Sequence, residues 1–110
     1  MKNFKIGKRK VGKKYPPLII AELGINHNGS LNKAKRLAKA ACKAGAEIIK
    51  HQTHIAQDEM ADEAKFIIPS HTTETIFEII KKSSLSEKEE YKLMKYVQKL
   101  GMIFISTPFS

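Results

Sequence analysis

Three short apolar runs constrain this chain more than any other feature: "PPLIIAELG" (16–24), "AEIIKHQTH" (46–54) and "MIFIST" (102–107). Each has the length of a strand, and helix-length sequence separates it from the next. Strands joined through a crossover helix lie parallel, whereas antiparallel neighbours need only a tight turn. Strands are expected over Leu18–Leu23, over Glu47–Thr53 and through "MIFIST". Between the first two, Ser30 can cap a helix whose apolar side is Leu31, Ala34, Leu37, Ala38, Ala41 and Cys42. Gly45 stands where a left-handed residue ends it. After the second strand comes "HIAQDEMADEAKFIIPSHTT", with weak periodicity, and then a short helix through Ile76, Phe77, Ile79 and Ile80. Ser86 and Glu89 form a capping-box pair for a second long helix, with Leu93, Met94, Val97 and Leu100 inward and Gly101 as its stop.

The order strand, helix, strand, helix, strand belongs to the α/β class, as either an open doubly wound sheet or a (β/α)8 barrel. A barrel takes about 250 residues, so these 110 have room for its first two and a half units. The last strand also has no following helix to cover it. The expectation is therefore the front of a larger enzyme. Residues 1–16 would form a basic hairpin extension, with Phe4, Ile6 and Val11 apolar and the Gly7–Arg9 region turning. Residues 17–110 would form an incomplete barrel domain.

Charge and cysteine content narrow the function classes. The net charge of +9 invites a nucleic-acid reading, but seven basic residues lie within the first fourteen. The other 96 residues hold 13 basic against 11 acidic side chains, a surplus of only two. The excess is thus a property of the N-terminus, read as a solvated lysine-decorated hairpin. No aromatic residues interleave with it for stacking on bases. Cys42, the single cysteine, excludes an internal disulfide or a zinc ribbon and reads as a small packed thiol. No apolar run approaches the roughly 18 residues of a membrane span. The N-terminal lysines precede no apolar signal region, so the expected location is the cytoplasm.

The second strand poses the functional question, because it leaves its apolar start for Lys50, His51, Gln52, Thr53 and His54 with no Gly or Pro to end it. Strand side chains alternate faces. Ile48, Lys50 and Gln52 share one face; Leu18, Ile20 and Glu22 share one; Ile103, Ile105 and Thr107 share one. If those faces look the same way, a carboxylate, an ammonium, an amide and a hydroxyl meet at the carboxyl ends of parallel strands. In both candidate architectures that is where ligands bind. A phosphorylated or carboxylated substrate would partner Lys50. The competing reading is a structural Glu22–Lys50 ion pair with Gln52 and Thr107 as satisfied neighbours, and the spacing names no reaction. His51 and His54, three apart on a strand, point to opposite faces and cannot chelate one ion without a bend. Structural or rim roles are expected for both.

The stretches "AELGINHNGSL", "AGAEIIKHQTHIAQDEM", "EAKFIIP" and "GMIFISTPFS" closely resemble the sialic acid (N-acetylneuraminate) synthase family, which includes legionaminate and pseudaminate synthases. The likeness runs from Pro17 onward, and "KHQTH" looks most like the sialate and legionaminate branch. It implies a metal-dependent condensation within a (β/α)8 barrel. There, C3 of phosphoenolpyruvate attacks the open-chain aldehyde of an N-acetylated hexosamine, water adds at C2, and phosphate leaves by C–O cleavage. By this resemblance Glu22 would act in proton transfer or water orientation. Lys50, Thr107 and Ser110 would bind phosphoenolpyruvate, with Ser106 a weaker candidate, and Gln52 would bind the sugar. Where many members read Gly-Asn after "IP", this chain has Ser70-His71, and His71 would take over the sugar contact. The Mn2+ or Mg2+ ligands and a C-terminal antifreeze-like domain would lie beyond Ser110, so the 110 residues alone would be inactive. The full-length family implies a homodimer, with no nucleic acid and no membrane as partner. The readings that compete with it are a basic polyanion-binding module and a non-catalytic truncated remnant.

Overall fold

The computed structural model describes residues 2–109. A hairpin of β1 (Phe4–Ile6) and β2 (Arg9–Val11) precedes a central three-stranded sheet. Strands β3 (Ile20–Gly24), β4 (Ile48–Thr53) and β5 (Ile103–Pro108) stand in the order β3-β4-β5, and both pairings are parallel. Helix α1 (Leu31–Lys43) makes the first crossover. The second runs through a one-turn helix α2 (Ala56–Glu59), a 3-10 segment (Asp62–Phe66), α3 (Ile76–Ser83) and α4 (Glu87–Lys99).

The helix starts follow from their caps. The Ser30 hydroxyl accepts from the Lys33 N–H, and Ser86 and Glu89 exchange both bonds of a capping box. Thr75 and Glu78 do the same for α3, a signal that was available in the sequence. Gly45 and Gly101 follow α1 and α4 with φ of +101° and +87°, the conformation that favours glycine there. Strand limits differ by a residue or two from the expected ones. Before β3, Ile19 bonds to Glu47 and Ile48, and the ladder itself begins at the Ile20–Ile48 pair.

One face of the sheet carries the core. Leu23, Ile49 and Phe104 meet Ala34 and Ala38 of α1 and Leu93 and Val97 of α4. Each fully buried aliphatic side chain contributes about 1.5–3 kcal/mol. Ala34 and Ala38 have no exposed surface, so larger side chains there would push α1 off its neighbours. Met94, expected inward, is only half-buried at the edge of α4.

The hairpin, β1 (Phe4–Ile6) and β2 (Arg9–Val11), turns at Gly7-Lys8 and is tied to the sheet. Arg9 Nε donates to Glu47 Oε1 at 2.6 Å, and its Nη2 donates to the Pro16 carbonyl at 2.7 Å. The bond from Arg9 to the carboxylate, with one from the Ile19 N–H, holds the Glu47 carboxyl below its usual range. One basic residue of the N-terminal surplus is thereby spent on an internal contact. No helix among the described residues is long and apolar enough to cross a membrane.

Candidate functional site

The face of the sheet away from the helices holds the polar side chains at its carboxyl end. Register places Glu22 beside Lys50, and Gln52 beside Thr107. Partners in a parallel ladder project to the same side, so these four residues share one mouth. Lys50 Nζ donates to Glu22 Oε1 at 2.8 Å, with the two side chains 39% and 68% exposed. An ion pair so open to water contributes at most about 1 kcal/mol. Stability therefore gives no reason for a lysine in β4, whose first residues, Ile48 and Ile49, are core. Ile20 and Ile105, on the same face, are exposed as well.

Gly24 ends β3 with φ +55°, after a register shift between Glu22 and Gly24. The positive φ favours glycine here, and a Cβ would meet Gln52 Nε2 at 3.5 Å, ordinary contact distance. His71 lies exposed in a turn between the 3-10 segment and α3. Ser110 lies outside the described residues. Ser106, expected on the same rim, belongs to the opposite face: its register partner is His51, and its hydroxyl donates to Glu90 at 3.0 Å. Period-two alternation from Thr107 already requires that placement.

The two histidines of "KHQTH" part as their spacing demands. His51 is wholly buried on the helix side, and His54 stands past the end of β4, where its Nε2 meets Gln52 Oε1 at 2.8 Å. The partners of His51 went unseen in the sequence. The Gly29 N–H donates to His27 Nδ1, so His27 carries its proton on Nε2 and donates to His51 Nε2 at 3.0 Å. His51 Nδ1 in turn donates to Glu90 Oε1 at 3.2 Å, and the hydroxyls of Thr53 and Ser106 reach the same oxygen. Burial, helped by repulsion from His51, lowers the His27 pKa to about 4. Burial pushes the Glu90 carboxyl up, but bonds from His51, Thr53 and Ser106 outweigh it and hold the group below its usual range. The sequence signals only that a histidine sharing the core face with Ile49 needs a buried partner; the docking of α4 on the sheet makes that partner Glu90.

An apolar groove of about 390 Å3 opens near Ile55, Leu85, Tyr91, Met94 and Phe104. Its lining suits packing and not an anion. Among the described residues no group of three or more His, Cys, Asp or Glu side chains could hold a metal ion. His27, His51 and His54 are each engaged with protein partners. The described residues thus do not fit a metal centre.

The molecule is an α/β protein that gathers a carboxylate, an ammonium, an amide and a hydroxyl at the carboxyl ends of parallel strands. The family model described as "NeuB family" matches residues 37–110, and the chain belongs to that family. It is 42% identical over 108 residues to the uncharacterized protein MJ1065 of Methanocaldococcus jannaschii, covering 98% of this chain and 29% of that one. It is 40% identical over 97 residues to the N,N'-diacetyllegionaminic acid synthase of Legionella pneumophila, covering 83% of this chain and 27% of that one. The crystal structure of the N-acetylneuraminic acid synthetase of Leptospira borgpetersenii superposes with a TM-score of 0.81 at 29% identity, over 99% of this chain and 35% of that one. The chain spans less than a third of the length of the two curated relatives.

Proposed function

We propose that this chain forms the first part of a (β/α)8 barrel in a nonulosonic acid synthase, condensing phosphoenolpyruvate with an N-acetylated amino sugar. The observation that carries this reading is the register that sets Glu22 against Lys50 and Gln52 against Thr107 on an exposed sheet face, in a member of the NeuB family. In the proposed reaction, a C–C bond forms between C3 of phosphoenolpyruvate and the sugar aldehyde carbon. Water adds at C2, and the C2–O bond to phosphate breaks. Lys50 is a point charge with three donors, suited to a phosphate or carboxylate oxygen. Thr107 supplies a hydroxyl one strand away. Glu22, within hydrogen-bond reach of Lys50, would orient water or move a proton once substrate engages the lysine. Gln52 would bind the sugar, His71 would approach from the loop, and Ser110 would extend the anion site.

The test is a chimera in which this chain replaces the matching segment of the Legionella pneumophila synthase, with phosphate release from phosphoenolpyruvate and N-acetylated sugars as the readout. Sugar-dependent release is expected, falling at least about 100-fold in Lys50→Ala as a charge-assisted contact to substrate is lost. A folded chimera whose rate is insensitive to Lys50→Ala would contradict the proposal.

A further inference from the structure

Both faces of β4 and β5 turn polar at the same level. On the open side Ile48 gives way to Lys50 and Gln52, and Ile105 to Thr107; on the helix side Ile49 gives way to His51 and Thr53, and Phe104 to Ser106. Apolar side chains of similar volume under α4 would often hold the helix side as well as a buried polar cluster does. One oxygen nevertheless gathers the strand ends there. Glu90 Oε1, in the first turn of α4, accepts from His51 Nδ1 at 3.2 Å and from the Ser106 hydroxyl at 3.0 Å. The Thr53 hydroxyl reaches the same oxygen and stands 2.6 Å from that of Ser106. His51 passes the linkage on to the end of β3: its Nε2 accepts from His27, three residues past Gly24, and the two rings stack with centroids 5.2 Å apart. Neutral rings satisfy the whole chain, from the Gly29 N–H to His27 Nδ1, from His27 Nε2–H to His51, and from His51 Nδ1–H to Glu90. The loop is also closed from outside, because a Cβ at Gly29 would collide with the Lys82 carbonyl oxygen.

We propose that Glu90, acting through His51, His27, Thr53 and Ser106, is a positioning residue for the mouth. Its acceptor oxygen sets the carboxyl ends of β3, β4 and β5 against one another and so fixes where the residues of the opposite face point. Each anchored strand residue is next in sequence to a mouth residue: His51 lies between Lys50 and Gln52, Thr53 follows Gln52, and Ser106 precedes Thr107. Hydrogen bonds are directional, whereas the apolar contacts lower in the same strands are not. Strand ends held in place before binding spare the ligand the cost of ordering them. That the mouth receives the anion of phosphoenolpyruvate rests on the synthase reading; the ordering of the strand ends does not.

The experiment compares Glu90→Met with Glu90→Gln in the 110-residue chain. Both keep the length of the side chain and remove its charge, but only Gln keeps an acceptor oxygen. Backbone 15N relaxation reads the order of residues 50–53, 106 and 107, with Ile49 and Phe104 of the apolar core as references in the same strands. In the unaltered chain both groups are expected near the order parameter of about 0.85 that marks rigid backbone. Glu90→Met should loosen the strand ends and leave Ile49 and Phe104 as they were. Its folded population should bind phosphoenolpyruvate at least about fivefold more weakly. Glu90→Gln should keep the order and most of the affinity. Should Glu90→Met not fold, the second variant is Thr53→Val with Ser106→Ala, which removes both hydroxyls at little change in volume and should loosen the same residues. Strand ends that stay as rigid as Ile49 and Phe104 in whichever of these folds overturn the proposal. So does an unchanged affinity after they loosen, or a Glu90→Gln chain that behaves like Glu90→Met. If the strand ends loosen as expected but the unaltered chain binds no phosphoenolpyruvate, the positioning role stands and the anion assignment falls.

Discussion

The two faces of the β3-β4-β5 sheet use similar side chains to opposite ends. On the helix side, His51, Thr53 and Ser106 converge on Glu90 and are buried or partly buried, and no buried side-chain N or O among the described residues lacks a partner. On the other side Glu22 and Lys50 form a pair open to water, and Ile20 and Ile105 are exposed beside it. A buried polar network must be complete or it destabilises the fold. An exposed pair can be rearranged by a ligand at little cost. The comparison separates what holds the sheet together from what the sheet presents.

Removing one member from each face tests that division most strongly. Glu90→Ala removes the acceptor that His51, Thr53 and Ser106 share, leaving the His51 Nδ1–H and one of the two mutually bonded hydroxyls without a partner. It should cost about 3–5 kcal/mol in denaturant titrations, as for a buried pair broken on one side. A loss below about 1 kcal/mol would show the network to be dispensable.

Acid should strike the same face next. With a native pKa of about 4 against an ordinary 6.5, His27 stays neutral in the fold while the unfolded chain takes up a proton. Stability is unaffected by this group above pH 6.5 and falls as pH drops from there to about 4, by about 3 kcal/mol in total. Glu90, held below its usual range, adds stability above the unfolded carboxyl pKa that is lost as pH falls through its native one. Both effects act in the same direction. His27→Gln should flatten the upper part of the pH profile; an unchanged slope between pH 6.5 and 4 would place the acid sensitivity elsewhere.

The smallest stability effect is expected on the open face. Lys50→Ala should change the unfolding free energy by no more than about 1 kcal/mol, because the pair it breaks is solvent-exposed. A larger loss would favour the structural ion pair over the ligand site.

What the sequence made legible follows the same division. Alternation in "AEIIKHQTH" and in "MIFIST" was enough to sort Lys50, Gln52 and Thr107 from His51 and Ser106, since period two is a local property of strands. The caps at Ser30 and Ser86 and the stops at Gly45 and Gly101 were readable for the same reason. The partners across the fold were not. Glu90 sits one residue after the capping-box Glu89, and only the docking of α4 on the sheet turns it toward His51. Helix α2 has four residues, too few to show a period, so Glu59 could not be matched to His54. Long-range pairs between short polar segments depend on tertiary placement, for which one sequence holds no direct signal.

Amide chemical-shift mapping during a phosphoenolpyruvate titration of the isotopically labelled chain tests most directly whether the open face is where the anion goes. Shifts are expected at the carboxyl ends of β3, β4 and β5, centred on Glu22, Lys50 and Thr107, and Lys50→Ala should weaken them at least about tenfold. Shifts confined to the lysine-rich residues 2–14, unchanged by Lys50→Ala, would contradict the account and make the hairpin the anion site.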